Sequence, residues 1–307
     1  MRNLLSTKDQ RQLRLMETLI QHRDWLKLHE LADKLGCTER ILKSDLNELR
    51  AAFPTIDIQS SVNGIMIDLE VNTSVEDIYQ YFLAHSQSFQ LLEYLFFNEG
   101  LPIYRTIENL HSSNANLYRL GRNITKTLST QFQIELSFTP SEIRGNEIDI
   151  RYFFAQYFSE RYYFLDWPFP DLPEEDLTEF ADFFYKITNY PMRFSIYRMY
   201  KLMIAISIYR IKSGHFVDLP NHFNDEYYPL LMNIPNFEEI LVHFSEKLGL
   251  EITPDIIAQI FISFIQNNLF LDPQEFFNSL EENSEARYSY QLLSQILERL
   301  SKQYKIT

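Results

Sequence analysis

"LHELADKLGCTERILKSDLNELR", which runs from Leu28 to Arg50, contains two short helical patterns separated by one glycine. Its first part repeats leucine and alanine at the spacing of one helix face. Gly36 can adopt the positive φ that ends a helix, and Thr38 is a residue type that caps the next one. The second part carries an apolar stripe at helical spacing, formed by Leu42, Leu46, Leu49 and Phe53. The stretch therefore predicts two helices joined by a tight turn.

Two helices joined by a glycine-containing turn form the helix-turn-helix layout, whose second helix lies in the major groove of DNA. One more amphipathic helix is predicted upstream, and two strands, Ile56–Ser60 and Ile65–Leu69, are predicted around an Asn63-Gly64 hairpin turn. The hairpin would be a wing, which makes the module a winged helix. The alternative is a small helical hairpin with a solvated charged face. The polar side chains predicted to face DNA are Thr38, Arg40, Lys43, Ser44, Asn47 and, on the wing, Asn63.

The same order of elements returns about 90 residues later, although the letters differ. A helical stretch over residues 78–96 breaks at Gly100, and Pro102 can begin a short helix. Ser112 and Ser113 can cap the next helix, a strand pattern follows, and Ile143–Asn146 would close a second wing. The alternative is a basic solvated helix that meets the acidic part of the chain. The acid-free face predicted to contact DNA carries Asn116, Arg119, Arg122, Asn123 and Lys126.

Charge is distributed unevenly along the chain. The net charge of -14, taken whole, disfavours binding to nucleic acid, because affinity for nucleic acid comes largely from neutralised phosphates. Residues 1–50, however, hold 10 Lys and Arg against 8 Asp and Glu, whereas residues 51–307 hold 18 against 34. The acid excess therefore lies after the opening segment and should confine DNA to the N-terminal modules.

From Glu147 onward the sequence is helical and rich in aromatic residues. The predicted fold class is therefore mainly α, with two N-terminal winged helix-turn-helix modules followed by an all-helical bundle. The predicted domains are residues 1–72, 73–165 and 166–282, with a C-terminal helix at 283–307. After the second module, helices are predicted over residues 174–189, 192–213, 224–232, 237–248, 254–267, 273–281 and 285–304.

Residues that carry catalysis or bind metal form no recognisable pattern. The sequence has no Gly-rich phosphate loop, no His-Glu-x-x-His pair and no nucleophile elbow. Its 7 histidines are not paired at metal-ligand spacing, and the single cysteine, Cys37, can form neither an internal disulfide nor a Cys-based zinc site. We therefore expect no enzyme activity, no metal and no cofactor.

The apolar segments of the chain are too short for a membrane span. The longest run, Leu202–Tyr209, is far shorter than the ~20 residues that a span needs. The first residues also lack the continuous apolar region of a signal peptide. We therefore expect a cytoplasmic protein without a membrane partner.

Three stretches resemble the Mga family of streptococcal and enterococcal virulence regulators, which is related to the anthrax toxin activator: Trp25–Leu49, Leu117–Ile124 and, most specifically, Ile143–Phe169. The resemblance covers the whole chain in order. It implies two DNA-binding modules followed by helical regulatory domains of the PRD type, which the sugar phosphotransferase system controls. Residues 283–307 would begin a second such domain, so the chain is expected to be a fragment or a shortened relative.

The resemblance also implies regulation through histidine. In the family, histidines of the regulatory domains can accept phosphate, and His215, at the end of a long predicted helix, is the best-placed candidate. Phosphate would add negative charge beside Lys212. The alternative is a plain helix-terminal histidine, which is favourable against the helix dipole. Proteins of the phosphotransferase system are accordingly expected partners.

The function expected from these features is transcriptional regulation by a homodimer or higher homo-oligomer bound to double-stranded DNA. Few side chains are available for base contacts, so we expect specificity to depend more on DNA shape than on base edges. Two alternatives belong to other classes: a protein-interaction or ligand-sensing helical module whose helix-turn-helix units no longer bind DNA, and an RNA-binding antiterminator. The helices predicted over residues 8–51 argue against the antiterminator, which starts with a β-rich domain.

Overall fold

The computed structural model describes residues 1–22, 24–68, 74–130, 132–162, 166–188, 194–219, 234–266 and residue 299. Within these ranges the chain is mainly α-helical with two small antiparallel hairpins, which confirms the predicted fold class.

A 3-10 turn at Arg2–Leu4 precedes the first helix. The helices are α1 (Thr7–His22), α2 (Leu28–Lys34), α3 (Glu39–Ala52), α4 (Val75–His85), α5 (Gln87–Phe97), α6 (Ile103–Asn109), α7 (Asn114–Leu128), α8 (Glu147–Tyr162), α9 (Glu174–Thr188), α10 (Phe194–Lys212), α11 (Phe237–Leu248) and α12 (Pro254–Gln266). The strands are β1 (Asp57–Ser61), β2 (Gly64–Asp68), β3 (Glu135–Phe138) and β4 (Ser141–Arg144).

Packing divides the chain into two compact units. The first comprises Met1–Pro170 and Tyr209–Phe216, and the second comprises Asp171–Ile208 and the chain from Val217 onward. The last residues of α10 and the short segment after it therefore belong to the first unit, which also contains both helix-turn-helix modules.

In the first module, the predicted apolar stripes form the core, except that Phe53 follows the end of α3 and is only half-buried. Full burial of an aliphatic side chain of this size contributes about 1.5–3 kcal/mol. On each helix the apolar residues recur at helical spacing among polar ones, so the opposite face of the helix is exposed to solvent. The side chains that are at most 2% exposed are Leu13, Leu15, Met16, Leu19, Leu31, Leu42, Leu46 and Leu49.

The first hairpin turns one residue earlier than the sequence predicts. Ser61 pairs with Gly64, so Val62 and Asn63 form the two-residue loop, and Gly64 already belongs to β2. Gly64 has φ +128°, and a Cβ on it would lie 2.1 Å from the carbonyl oxygen of Leu26. This glycine is therefore required because β2 passes directly against another backbone segment, and not because of its place in the turn.

The helical stretch predicted over residues 78–96 consists of two helices. Ser86 has φ -73° and ψ 125°, which is extended backbone, and it separates α4 from α5. Periodicity gave no sign of this break, because buried residues on its two sides, such as Phe82 and Phe89, keep helical spacing. The start of α4 is fixed by a capping box between Ser74 and Asp77.

The second hairpin also closes at a different point from the predicted one. Phe138 pairs with Ser141, so the turn consists of Thr139 and Pro140. The segment predicted to close this wing, Ile143–Asn146, instead provides the end of β4 and the residues that lead into α8. The alternation of apolar residues before Phe138 identified the strand, but no Asn-Gly signal marked its turn.

Aromatic side chains fill the core between α5 and α8. The ring centroids of Phe96 and Phe154 lie 4.5 Å apart, and those of Phe158 and Phe169 lie 5.1 Å apart. Tilted and edge-to-face pairs of this kind add to the stabilisation that burial gives. Tyr157, which is buried, donates its hydroxyl hydrogen bond to Glu93, and burial raises the pKa of this tyrosine, so it remains a neutral donor.

The second unit is built from helices around a smaller aromatic core. Phe180 of α9 lies 4.9 Å from Phe244 of α11 and 5.9 Å from Phe261 of α12, measured between ring centroids. Gln259 on α12 satisfies both backbone groups of Val217: its Oε1 accepts from the amide at 2.7 Å, and its Nε2 donates to the carbonyl at 2.8 Å. A buried amide with both partners supplied fixes Val217 against α12.

Part of the predicted helical bundle lies outside the described residues. This applies to the helices predicted over 224–232 and 273–281 and to nearly all of the one predicted over 285–304. In the ranges that are described, no helix combines the length and the apolar character that crossing a membrane would require.

Candidate nucleic-acid interface

The start of α3 is fixed by a side-chain cap. Thr38 has extended backbone angles, φ -86° and ψ 154°, and its Oγ1 accepts a hydrogen bond from the backbone amide of Ile41 at 3.3 Å. Gly36, in the turn before it, has φ +63°, and a Cβ there would meet nothing within 4 Å. The turn therefore needs glycine for its backbone angle rather than for space, as the sequence predicts.

The face of α3 opposite its buried leucines is open to solvent. The position of α3 relative to α1 is set by Asp45. Its side chain is 3% exposed and accepts hydrogen bonds from Arg11 Nε at 2.6 Å and Nη2 at 3.1 Å. Gln12 donates to the same carboxylate at 3.1 Å. A bidentate, partly buried pair holds one orientation better than exposed ion pairs do. The residues of this module's helices that the sequence predicts to face DNA are all exposed: Thr38, Arg40, Lys43, Ser44 and Asn47.

Replacing Asp45 with alanine should lower the free energy of unfolding by about 2 kcal/mol, because Arg11 loses its carboxylate partner. A second pair, Lys8 and Glu48, joins the same two helices, but its side chains are 51% and 46% exposed. Lys8→Ala should therefore cost less than about 1 kcal/mol. Urea unfolding followed by tryptophan fluorescence measures both effects. Equal costs for the two variants would contradict the assigned role of Asp45.

The first wing is attached to the segment that precedes α2. Leu26 and Ile65 exchange backbone hydrogen bonds of 2.9 and 2.8 Å. Lys27 donates from Nζ to the carbonyl of Val62 at 3.3 Å. The predicted DNA-facing residue Asn63 is exposed at the wing tip beside Val62, which is 95% exposed. These hydrogen bonds therefore hold the wing against the segment before α2, while its tip is exposed.

The second module repeats the capped start at α7. Ser113 has extended backbone angles, and its Oγ accepts from the amide of Asn116 at 3.2 Å. Asn116 is half-buried: its Nδ2 donates to Ser112 Oγ at 2.9 Å, and its Oδ1 accepts from Arg119 Nη2 at 2.7 Å. This asparagine therefore positions Arg119, and its amide is less available to DNA than the sequence suggests. The other predicted residues on this face are exposed: Arg119, Arg122, Asn123 and Lys126.

The second wing lies close against α7. A Cβ on Gly121 would lie 2.4 Å from Cε2 of Phe138, so the glycine leaves room for the ring. Phe138 also meets Tyr118 edge to face, with ring centroids 5.2 Å apart. The backbone amide of Leu136 donates to Thr125 Oγ1 at 3.0 Å. Helix and wing are thus joined by both packing and a hydrogen bond.

The two caps allow α3 and α7 to be compared position by position. Thr38 and Ser113 are both N-caps, and the fourth residue after each is a buried leucine, Leu42 or Leu117. On this alignment Lys43 corresponds to Tyr118 and Ser44 to Arg119. The outward faces of the two helices are therefore chemically different although their geometry is repeated.

The basic side chains of both helices are available to a negatively charged ligand. Within the described residues, none of them lies in an ion pair with a carboxylate. Arg119 donates to an amide oxygen and Arg122 to a backbone carbonyl, which leaves their charge uncompensated. Charges of this kind are free to neutralise phosphates. The residues concerned are Arg40, Lys43, Arg119, Arg122 and Lys126.

His215 lies in a cluster of charged side chains at the end of α10. Its Nε2 is 2.8 Å from Oε2 of Glu99, which also accepts from Arg210 Nη1 at 2.8 Å. Arg210 donates to Glu147 at 2.7 Å, and Arg151 Nε donates to Glu147 at 2.9 Å. Both arginine side chains are at most 2% exposed and both carboxylates at most 10%, whereas the histidine side chain is 30% exposed.

The cluster holds the Glu147 carboxylate ionised. Burial alone would raise the pKa of Glu147, but the hydrogen bonds and charges of Arg210 and Arg151 lower it below its usual value. At His215, a phosphoryl group on Nε2 would replace the bond to Glu99 and would bring negative charge to that carboxylate. Phosphorylation of His215 stays a prediction. In the described residues, no group of three or more His, Cys, Asp or Glu side chains could hold a metal ion.

Family models match these segments in the order in which the structure presents them. Residues 6–65 match the M protein trans-acting positive regulator (MGA) HTH domain, residues 71–158 the Mga helix-turn-helix domain, and residues 173–307 the M protein trans-acting positive regulator (MGA) PRD domain. The chain belongs to the Mga family. The resemblance seen in the sequence is thereby confirmed.

Two curated proteins show how far the similarity of this Mga-family chain extends. It is 41% identical over 307 residues to a protein of Streptococcus pneumoniae serotype 4 provisionally named a trans-acting regulator, an alignment that covers 100% of the chain and 62% of that protein. It is 24% identical over 293 residues to the capsule synthesis positive regulator AcpA of Bacillus anthracis, covering 91% of the chain and 59% of AcpA. The chain thus spans about three fifths of the curated relatives it matches.

Sequence reasoning missed some residues at the surface of the Mga modules. Ile41 on α3 is 40% exposed, Tyr118 on α7 is 44% exposed, and Val62 stands at the wing tip. For Ile41 a signal existed, since it lies outside the stripe of Leu42, Leu46 and Leu49. The same signal existed for Tyr118, which lies outside the stripe of Leu117, Ile124 and Leu128. Val62 gave no such signal, because its exposure depends on where the first hairpin turns.

Proposed function

We propose that this Mga-family chain is a transcriptional regulator that binds double-stranded DNA through α3 and α7. The observation that carries the proposal is the pair of capped helices whose exposed faces hold basic side chains without carboxylate partners. A capped helix N-terminus favours negative charge, and lysine and arginine neutralise phosphates. Two such helices, each with its own hairpin wing, provide more phosphate contacts than either module alone.

The remainder of the chain is proposed to regulate this binding. Residues 173–307 match the family model of an MGA PRD domain, and this match supports a regulatory role for the helical second unit. We infer that this part mediates self-association into a homodimer or higher homo-oligomer and that it takes input from proteins of the phosphotransferase system. A cytoplasmic location follows from binding to DNA. Of these inferences, the input at His215 has the least support, because its Nε2 is already paired with Glu99.

A gel-shift titration of the 307-residue chain on promoter-length duplex DNA at two salt concentrations tests DNA binding. Affinity should fall steeply as salt rises, because binding releases counterions from the phosphates. The variants Arg40→Ala with Lys43→Ala, and Arg119→Ala with Arg122→Ala, should each lose about tenfold in affinity and about 2 in the salt slope, since each lost phosphate contact lowers the slope by about 1.

The matched control is Arg105→Ala with Lys247→Ala, which removes two exposed positive charges that lie outside α3 and α7 and already face carboxylates. It should bind nearly as the parent chain does. Affinity that falls equally in the control would indicate an unspecific effect of net charge. Absence of binding by the parent chain would favour a protein-interaction or ligand-sensing module.

A further inference from the structure

Three of the eight large hydrophobic side chains that are exposed in the described residues lie on the elements proposed to face DNA. Ile41 lies on α3, Val62 on the first wing and Tyr118 on α7. Isolated exposed hydrophobic residues are common and need no explanation individually. The remaining ones in the described residues are Leu101, Tyr104, Tyr152, Phe216 and Val242.

Ile41 differs from the other two in where it stands. It is the third residue of α3, one position after Arg40 and two before Lys43, and its backbone amide is held by the Thr38 cap. The first turn of a recognition helix is the part that reaches base edges in the major groove. Val62, by contrast, is on the wing, and Tyr118 packs its ring against Phe138.

The Ile41 side chain is also rigid. A β-branched residue within a helix has essentially one χ1 rotamer, so its methyl groups occupy one place with little entropy left to lose. The helix beneath it is fixed as well, because Leu42 is fully buried and Asp45 is bound by Arg11. The chain therefore presents a fixed apolar surface in the first turn of α3, next in sequence to Arg40.

We propose that Ile41 is a specificity-determining residue that packs against the 5-methyl group of thymine in the major groove. That methyl is the one apolar group that the base pairs display there, and aliphatic contact is how proteins read it. Arg40 and Lys43 neutralise the flanking phosphates and hold the helix in the groove. The proposal rests on the proposed function and adds a base-edge contact to the shape-dependent specificity expected from the sequence.

Uracil substitution tests the contact directly. A duplex that the full chain selects from a random-sequence pool is prepared in two forms, one with thymine and one with deoxyuridine in its place. The second form lacks only the 5-methyl groups and keeps the pairing edges. The parent chain should bind the thymine form about fourfold more tightly for each methyl group buried. In Ile41→Ala the ratio of the two affinities should fall to about 1.

A second variant and a control distinguish the loss of a contact with thymine from other causes of a changed affinity ratio. Ile41→Gln keeps the length of the side chain and suits a helix but carries no apolar end, so it should also lose the preference for thymine. Val242→Ala removes an exposed aliphatic side chain from α11, outside the elements proposed to face DNA, and should keep the ratio of the parent chain. Circular dichroism and binding to the uracil duplex show that each variant is folded.

The outcomes separate the two proposals. A preference for thymine that persists unchanged in Ile41→Ala and Ile41→Gln overturns the role of Ile41 while DNA binding stands. Equal binding of both duplexes by the parent chain also overturns it. If the parent chain selects no duplex from the pool, the proposed function fails, and the role of Ile41 fails with it.

Discussion

Arg210→Ala is expected to lower the free energy of unfolding of the first unit by about 3–5 kcal/mol. The substitution removes a guanidinium that is 2% exposed and donates to both Glu99 and Glu147. These carboxylates, 9% and 10% exposed, would then remain buried with less positive charge to compensate them. Because the only two tryptophans of the sequence, Trp25 and Trp167, both belong to the first unit, urea unfolding followed by their fluorescence measures this loss.

An exposed pair in the same unit serves as the control. Arg105 and Glu108 are 58% and 65% exposed, so Arg105→Ala should cost less than about 0.5 kcal/mol. The double variant Arg210→Ala with Glu147→Ala should lose less than the sum of the two single losses, because the groups interact directly. Additive losses would contradict the description of one coupled cluster.

The loss caused by Arg210→Ala should also depend on pH. The folded-state pKa of Glu147 lies below its usual 4.5, so its contribution to stability is complete above that pH and disappears as pH falls through the folded value. Without Arg210 burial predominates and the pKa of this carboxyl rises. The difference in stability between parent and variant should therefore shrink as pH falls from the raised pKa of the variant through the lowered pKa of the parent, as unfolding titrations at several pH values would measure.

Gly64→Ala is the second substitution with a large expected effect, about 3–5 kcal/mol in the free energy of unfolding. A backbone angle of φ +128° is unfavourable for a residue with a Cβ, at about 1–3 kcal/mol. The new atom would also lie 2.1 Å from the carbonyl oxygen of Leu26, and such overpacking costs about 1–3 kcal/mol more. Relief requires β2 to move away from Leu26, which breaks both backbone hydrogen bonds between Leu26 and Ile65.

Gly36→Ala separates the effect of contact from the effect of backbone angle. Gly36 also has a positive φ, +63°, but a Cβ on it would meet nothing within 4 Å. Its substitution should therefore cost only about 1–2 kcal/mol, the strain of a left-handed angle. The same fluorescence-detected unfolding compares the two. If Gly64→Ala cost no more than Gly36→Ala, the attachment of the wing to the segment before α2 would be unimportant for stability.

The helix starts could be predicted from sequence because their determinants are local. Thr38 and Ser113 cap α3 and α7 as predicted, since one side-chain oxygen and one amide three residues later suffice. The apolar stripe of α3 identified its outward face for the same reason. Gly36 was likewise found, because its role depends only on its own backbone angle.

Features that depend on distant parts of the chain could not be predicted. The break at Ser86 has no proline or glycine to mark it, and the role of Gly64 depends on Leu26, which is 38 positions earlier in the sequence. Glu99 and Arg210 are 111 residues apart, so no spacing pattern could pair them. Asn116 similarly donates from Nδ2 to Gln87 Oε1 at 3.4 Å, and these two residues are 29 positions apart.

The different chemistry of the two capped helices has a consequence for the operator. At the positions where α3 has Lys43 and Ser44, α7 has Tyr118 and Arg119. The two helices of one chain should therefore recognise different bases. Under the proposed function, the target of one protomer should then be a composite of two unlike halves without internal palindromy. Such a target has a left and a right end, and a protomer bound to it faces in one direction along the promoter.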